Sequence, residues 1–539
     1  MIVGQRKIII LSGPTCSGKS SFCDQLELKA AARIIKTRDL IVAANPNVGD
    51  TKIALQRAGN ALDKNEGGDW VKRALAKLLS DGANDSLVVI DAVRKKPQIE
   101  AIRDAYGPSV YHVHLTAPEL ELKRRYEERG REDLAVESYE KIIKDVTEKS
   151  SRTLDALADL VIDTQRSTPA SVFVRATALL ALYPRNTQAL VDVLVGGQYG
   201  SEGKGNIVGH IAPEYQMLVR VGGPNAGHKV FQQPEPEVYY HLPSGSRRAP
   251  KAQLVLGAGA VIYVPVLMEE IQRHNIEASR LIIDPQAMII EDLDRYIEGG
   301  SLAQGISSTA QGVGWASARK MTARGGYSEG GAGIRLAKNV SELKPFIRDS
   351  QELFAKAYLS GCKILLEGTQ GTSLSLHHGR YPWVTSRDTT VSGCLADAGI
   401  APKRVNRIIM VCRTYPIRVG GPSGHLEREI DYDELARRSG IPEEQLKATE
   451  KTTTTKKQRR FGEFDWEQLK LSTQLNGPTD LALTFVDYLD VKNRDAYRYE
   501  QLSPETLRFI EEVERVSGVP VNLISTAFHW RNVIDRRAW

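Results

Sequence analysis

The stretch VGGQYGSEGKGNIVGHI, Val195–Ile211, decides the fold of the chain around it. It comes after the mainly apolar run ALVDVL, Ala189–Leu194, and it precedes a segment that reads as a helix. A strand that enters a helix through glycines leaves the first N–H groups of that helix without partners, and such groups bind anions. The stretch therefore predicts a phosphate-binding loop in an α/β domain, with Gly200, Ser201, Glu202, Gly203, Lys204 and Gly205 around the anion.

The same arrangement stands earlier in the chain. KIIIL, Lys7–Leu11, leads into GPTCSGKS, Gly13–Ser20, and then into SSFCDQLELKAA. This satisfies G-x-x-x-x-G-K-S in the strand-to-helix context that the motif requires. Two such loops, so far apart in a chain of 539 residues, predict two α/β domains rather than one core. ADLVIDT (Ala158–Thr164) reads as the last strand of the first, Pro169 as a helix start, and PRNTQ (Pro184–Gln188) as the linker. The predicted domains are 1–184, a P-loop nucleotide kinase-like parallel sheet, and 185–539. The two loops differ in spacing and in their downstream sequences, so they are not a repeat.

Composition narrows the function. A formal charge of +6 is spread over a chain with 26% charged residues, and no Lys/Arg tract forms a nucleic-acid arm. Anionic small molecules are the expected partners, with no nucleic acid and no membrane. The five cysteines (Cys16, Cys23, Cys362, Cys394, Cys412) form no CxxC pair, which predicts free thiols in a reducing compartment. The apolar run near the N-terminus is too short to span a bilayer and enters a glycine loop, so a cytoplasmic protein is expected.

In the first domain, Gly13 and Gly18 shape the loop, Lys19 neutralises phosphate charge, and Ser20 is a ligand type for Mg²⁺. Asp91 ends the run SLVVID, where an acidic residue holds Mg²⁺ through water or serves as a turn residue; Arg94 lies just beyond. LKRRYEERGRED offers Arg124, Arg125, Arg129 and Arg131, either as a solvated salt-bridge face or as an arginine-bearing lid. The domain resembles nucleoside monophosphate kinases and dephospho-coenzyme A kinase, a resemblance that implies kinase activity.

The second domain adds three segments. VGGPNAGHKV supplies Asn225, Gly227 and His228; LEGTQGTSLSLHHGRYPWVTSRDTT supplies Gln370 and Thr385; TTTTKKQRRFGEFD combines hydroxyls with Lys457 and Arg459, a set suited to a small dicarboxylate. With GSEGKGN, NAGH, HLPSG, EGTQGT, YPWVTS and TFVD in this order, Gln188–Trp539 is similar to adenylosuccinate synthetases. The resemblance implies a mixed-sheet α/β fold, usually dimeric. It also implies phosphoryl transfer from a nucleoside triphosphate to the 6-oxygen of a purine monophosphate, with Mg²⁺, followed by displacement of that phosphate by L-aspartate.

Position by position, the resemblance places Lys204 and the loop backbone on the phosphates, and His228 as the acid at the 6-oxygen. It places Gln370 at the 6-position, the Gly227 carbonyl on Mg²⁺, and Asn225, Thr309 and Thr385 on the 5′-phosphate. Thr455, Lys457 and Arg459 would receive aspartate, and Asp487 and Ser525 the base of the triphosphate. Ser201 stands where the family has an aspartate that removes the purine N1 proton and helps hold Mg²⁺, and a hydroxyl is a poor base at neutral pH. One explanation is a decayed site that senses nucleotides and regulates the P-loop domain. The other is a changed substrate: a 2-amino group beside N1 would crowd a carboxylate, whereas serine leaves room. The retained Glu202, Lys204, His228 and Gln370 favour the second, which resembles phage-type synthases that join aspartate to dGMP and give N6-succino-2-amino-2′-deoxyadenylate. Ordinary synthesis from IMP and GTP is the alternative substrate pair. Phe485 and Phe528 replace guanine-reading residues and are able to stack on any purine, and Asp487 is able to accept from guanine N1/N2 or from adenine N6, so ATP or dATP is the expected donor, with GTP the alternative. Where the family has a partner-subunit arginine, this chain has Ala323 with Arg324 adjacent.

Overall fold

The computed structural model describes residues 6–49, 52–80, 86–91, 93–130, 138–179, 188–300, 302–325, 333–452 and 456–537. They belong to two compact units, Met1–Arg185 and Asn186–Trp539.

In the first unit, isoleucine-rich runs are apolar on both sides, as central parallel strands must be when helices cover both faces. Five strands lie in the order Arg33–Lys36, Leu87–Asp91, Lys7–Ser12, Val110–Thr116, Leu160–Asp163, and every pair is parallel. Ile8 and Ile10 of the central strand enter one apolar cluster, and Ile9 and Leu11 enter another on the opposite face. Successive strands to either side of Lys7–Ser12 diverge, which leaves a crevice at its C-terminal end. The Gly13–Ser20 loop sits there and leads into the helix Lys19–Ala30.

The second unit is built on nine strands in the order Leu281–Ile283, Gln253–Leu256, Met217–Arg220, Ile364–Glu367, Val191–Gly196, Val405–Arg413, Asp480–Thr484, Val521–Ser525, Val533–Asp535. All pairs are parallel except the last, so the sheet is mixed. Val191, Val193 and Val195 pack into one face and Leu194 into the other, in the alternation a strand dictates. Because the neighbours of Val191–Gly196 run parallel to it, their C-terminal ends share one edge of the sheet, and the second glycine loop opens there. A three-stranded antiparallel ribbon, Ile417–Val419, Arg459–Gly462 and Glu429–Ile430, stands outside the main sheet and carries Arg459. Among the described residues no helix is long and apolar enough to cross a membrane.

Candidate active site

The loop after Val191–Gly196 takes left-handed backbone conformations at Gly200, Ser201 and Gly203, with φ of +83°, +55° and +86°, before the helix Lys204–Ile211 begins. Glu202 holds this shape from beneath. Its side chain is fully buried and accepts from the N–H groups of Gln198 at 3.1 Å and Gly200 at 2.7 Å. Lys204 Nζ lies 2.5 Å from the other carboxylate oxygen. Glu202 is thus an anchor of the loop and the counter-ion of Lys204, where the sequence places it among nucleotide ligands. A second loop presses on the first at Gly371, where a Cβ would meet Gln198 O at 2.4 Å and Gly200 N at 2.6 Å.

His228 begins a short strand and is buried beside the loop. Its Nδ1 lies 2.5 Å from Glu367 Oε1, and Glu367 also accepts from Ser244 N at 2.7 Å, from the Ser244 hydroxyl and from Arg220 Nη1 at 3.3 Å. Burial, reinforced by Arg220, pushes the His228 imidazole down to about 4. Burial alone would raise the Glu367 carboxyl, but Arg220 and His228 hold it at about 2. The ionised carboxylate therefore fixes the proton on Nδ1 and leaves Nε2 as the nitrogen free to exchange one.

Asn225, Gln370 and Thr385 meet as a second cluster. Thr385 Oγ1 accepts from Gln370 Nε2 at 2.6 Å and from Asn225 Nδ2 at 3.5 Å. The amide oxygens of Asn225 and Gln370 are buried without a partner. Thr309 and Gly227 also line the cavity.

Beneath Ser201 lies a buried charge network that the sequence motifs do not reveal. Glu450 accepts from Arg413 Nη2 at 2.9 Å, Tyr488 OH at 2.6 Å and Arg459 Nη1 at 2.7 Å. Burial would raise its carboxyl, but the two arginines hold it at about 2. Ser201 meets both cations: its hydroxyl is 3.5 Å from Arg459 Nη2 and its carbonyl 3.5 Å from Arg413 Nη1. Ser201 is thus a neutral group that sits on a cationic floor. Arg413 also covers a face of Phe485, 3.9 Å from its centroid, so that ring is not free to stack on both sides. Lys457 is exposed and lies off the cavity wall that Arg459 and Thr452 help form. Thr455 and Arg131 lie outside the described residues, as does the Arg129 side chain.

These groups surround one cavity of about 740 Å³. It extends from the loop residues Gly200 to Lys204, past His228, Gln370 and Arg459, to Asp487, Ser525 and Phe528. Residues 193–329 and 334–494 match the adenylosuccinate synthetase family. The chain belongs to that family. The adenylosuccinate synthetase of Methanococcus aeolicus is 36% identical over 353 residues, covering 64% of this chain and 99% of the relative. That of a Pyrococcus species is 37% identical over 355 residues, covering 64% and 98%. Among solved structures, the Plasmodium falciparum adenylosuccinate synthetase superposes with a TM-score of 0.55 at 24% identity, covering 65% of this chain and all of that one, a likeness of fold. The succinoaminodeoxyadenylate synthetase of cyanophage S-2L, solved bound to dGMP and to dATP as an energy donor, superposes with a TM-score of 0.54 at 26% identity, covering 65% and 96%. As an adenylosuccinate synthetase-type ligase, the chain joins aspartate to a purine nucleotide.

The first unit matches the AAA domain over residues 9–165. In its loop a Cβ on Gly13, where φ is +140°, would meet Leu115 O at 2.1 Å, so only glycine fits. Gly18 caps the helix in a left-handed conformation, and Lys19 Nζ donates to the carbonyls of Gly13 and Pro14, each at 2.7 Å. Burial lowers Lys19 to about 8, against the pull of Asp91 and Glu148. Asp91 Oδ1 is buried without a partner, and Ser20 lies exposed in the first helical turn. Arg124 pairs with Glu121 and Glu128 on the surface, 56% exposed. The neighbouring Arg125 is the one that turns to the loop, donating to Thr164 Oγ1 at 2.9 Å and to Cys16 O at 3.4 Å.

Proposed function

We propose that the second unit ligates L-aspartate to the 6-position of dGMP, using ATP or dATP, to give N6-succino-2-amino-2′-deoxyadenylate. The observation that carries this reading is Ser201, a neutral residue where the family has an aspartate, beside the retained Lys204, His228 and Gln370. Neither carboxylate beside it can replace the missing base. Glu202 and Glu450 each accept from three donors, and Glu450 is held at about 2. A purine with a 2-amino group would place that donor where serine leaves room and an acceptor. The cyanophage enzyme solved with dGMP and dATP supports the choice of substrates.

In this reading Lys204 leaves Glu202 for the β/γ-phosphates as the triphosphate enters. The purine N1 proton passes to solvent, the γ-phosphoryl group passes to the 6-oxygen, and the nucleoside diphosphate leaves. The aspartate amine then attacks C6, and phosphate leaves with that oxygen. His228, oriented by Glu367, works through Nε2 at the 6-oxygen, where negative charge raises its proton affinity from the low value of the empty site. Asn225, Thr309 and Thr385 hold the 5′-phosphate, and Arg459 receives the aspartate carboxylate; Thr455 and Lys457 are assigned to aspartate with it by the family resemblance alone. Mg²⁺ would lie on the Gly227 carbonyl and the phosphate oxygens, where it neutralises charge on the transferring group. The unit works as a homodimer.

The first unit acts as a nucleotide kinase. Its orphaned Asp91 oxygen and the Ser20 hydroxyl fit a Mg²⁺ ion, and Lys19 fits the transferring phosphate. Synthesis of an adenylosuccinate from IMP is the second reading, favoured by the archaeal relatives at 36% and 37% identity, both named adenylosuccinate synthetases. Mass spectrometry on the full chain with Lys19→Ala, supplied with aspartate, ATP, dATP or GTP and each of dGMP, GMP and IMP, tests the proposal. A succinylated product from dGMP supports it. A product from IMP alone establishes the second reading, and nucleotide binding without any product would make the site a sensor.

A further inference from the structure

We infer that Arg494 sets the base preference of the phosphoryl donor, by occupying half of the Asp487 carboxylate so that the pair takes adenine in preference to guanine. The inference rests on the ligase reading of this cavity. Strands Val405–Arg413, Asp480–Thr484 and Val521–Ser525 run parallel with Val191–Gly196 and end on its edge of the sheet. Asp487 lies just beyond the second of them and Ser525 ends the third, so a triphosphate whose phosphates lie on the Gly200–Gly205 loop directs its base toward these two residues. Asp487, Arg494, Ser525 and Phe528 line that end of the cavity.

Asp487 is buried, at 6% exposure, and its Oδ2 accepts from Arg494 Nε at 2.9 Å. Arg494 is held in turn through its carbonyl, which accepts from Asn532 Nδ2 at 2.9 Å. Its side chain is about one-third exposed, and among the described residues its two Nη groups make no hydrogen bond. Phe528, 45% exposed with Phe231 edge-on at 6.1 Å, offers a ring face at the same end.

Guanine presents two adjacent donors, N1–H and N2–H, which a free carboxylate accepts with both oxygens. Here one oxygen is committed. What remains is the acceptor Oδ1 beside the Nη donors of Arg494, the complement of adenine's N6–H and N1. Guanine can meet that pair only through N1–H and O6, which leaves its 2-amino group unpaired in a partly buried site and weakens its binding by about tenfold or more. Arg494 thus reads the base directly through its fork and also through its hold on Asp487.

The test is calorimetric titration of the full chain with the β,γ-imido analogues of ATP and GTP, in a Lys19→Ala background so that the first loop does not dominate the uptake. The ATP analogue should bind at least about tenfold tighter. In Arg494→Met that ratio should fall by about tenfold or more, with the GTP analogue binding tighter in absolute terms, a gain that damage to the fold cannot produce. Should this variant fail to fold, Arg494→Lys keeps the charge without the fork and is read in the same way. A parent that prefers the GTP analogue, or an Arg494 variant in which both analogues weaken equally, overturns the inference. Because binding is read without ligation, a parent that binds with the expected ratio and yields no product would sink the ligase reading alone.

Discussion

Replacing Glu367 by glutamine removes the charge that organises the His228 side of the cavity. In the native site one carboxylate answers Arg220, the Ser244 N–H and hydroxyl, and His228 Nδ1. The amide of Glu367→Gln brings its own donors to a site already full of donors, and Arg220, 2% exposed, loses the carboxylate it pairs with. Holding the carboxyl at about 2, against an ordinary 4.5, corresponds at about 1.36 kcal/mol per pH unit to about 3 kcal/mol of preference for the charged form. That agrees with the roughly 3–5 kcal/mol lost when a buried ion pair is broken from one side. Calorimetric melting of the full chain should show the transition of the second unit lowered by several degrees and that of the first unmoved. Turnover should fall by about 10²-fold or more, because His228 loses the partner that fixes its tautomer, while KM for the triphosphate changes little. A variant that melts within a degree of the parent and keeps its kcat would refute the assignment.

Acid should expose the same cluster. Glu367 is held below its ordinary value, so its contribution is complete above pH 4.5 and is lost as pH falls toward 2; His228, buried neutral at about 4 against 6.5, costs stability as pH falls from 6.5 toward 4. Denaturant midpoints of the second unit should therefore decline through both windows, and Glu367→Gln should flatten the lower one. Glu450→Gln strands Arg413 and Arg459 over a neutral amide, so stability should drop by about 3–5 kcal/mol and KM for aspartate should rise, as measured by unfolding and by initial rates. In the first unit, Arg125→Ala should weaken nucleotide binding in a titration with ATP, whereas Arg124→Ala, a change to an exposed ion pair, should leave both binding and the unfolding midpoint essentially unchanged.

Both glycine loops are legible in the sequence because their signal is local: an apolar run, glycines where the backbone turns left-handed, and a helix start. Asn225, Gln370 and Thr385, far apart in the chain, meet at one threonine hydroxyl, and the family motifs group them as ligands. The buried charges are not legible. Arg220 and Glu367 are 147 positions apart, and Arg413 and Glu450 are 37 apart, so no periodicity links them. The one available hint is Glu367 itself, an acidic residue ending the otherwise apolar strand Ile364–Glu367. Arg124 and Arg125 are indistinguishable in an arginine-rich helix whose orientation depends on what it packs against; the fold turns Arg125 inward. Glu202 reads as a loop ligand in sequence because a glycine loop with a carboxylate suggests contact with substrate, yet its oxygens are consumed by the loop's own N–H groups and by Lys204.

The most direct test of the central claim is the ratio of kcat/KM for dGMP to that for IMP, measured with ATP and aspartate in the full chain and in Ser201→Asp. The account predicts a ratio well above one in the parent. It also predicts a fall of at least about tenfold in Ser201→Asp, where a carboxylate drawn to Arg459 would crowd the 2-amino group and restore a base at N1. A parent that prefers IMP, or a ratio that Ser201→Asp leaves unchanged, would contradict it.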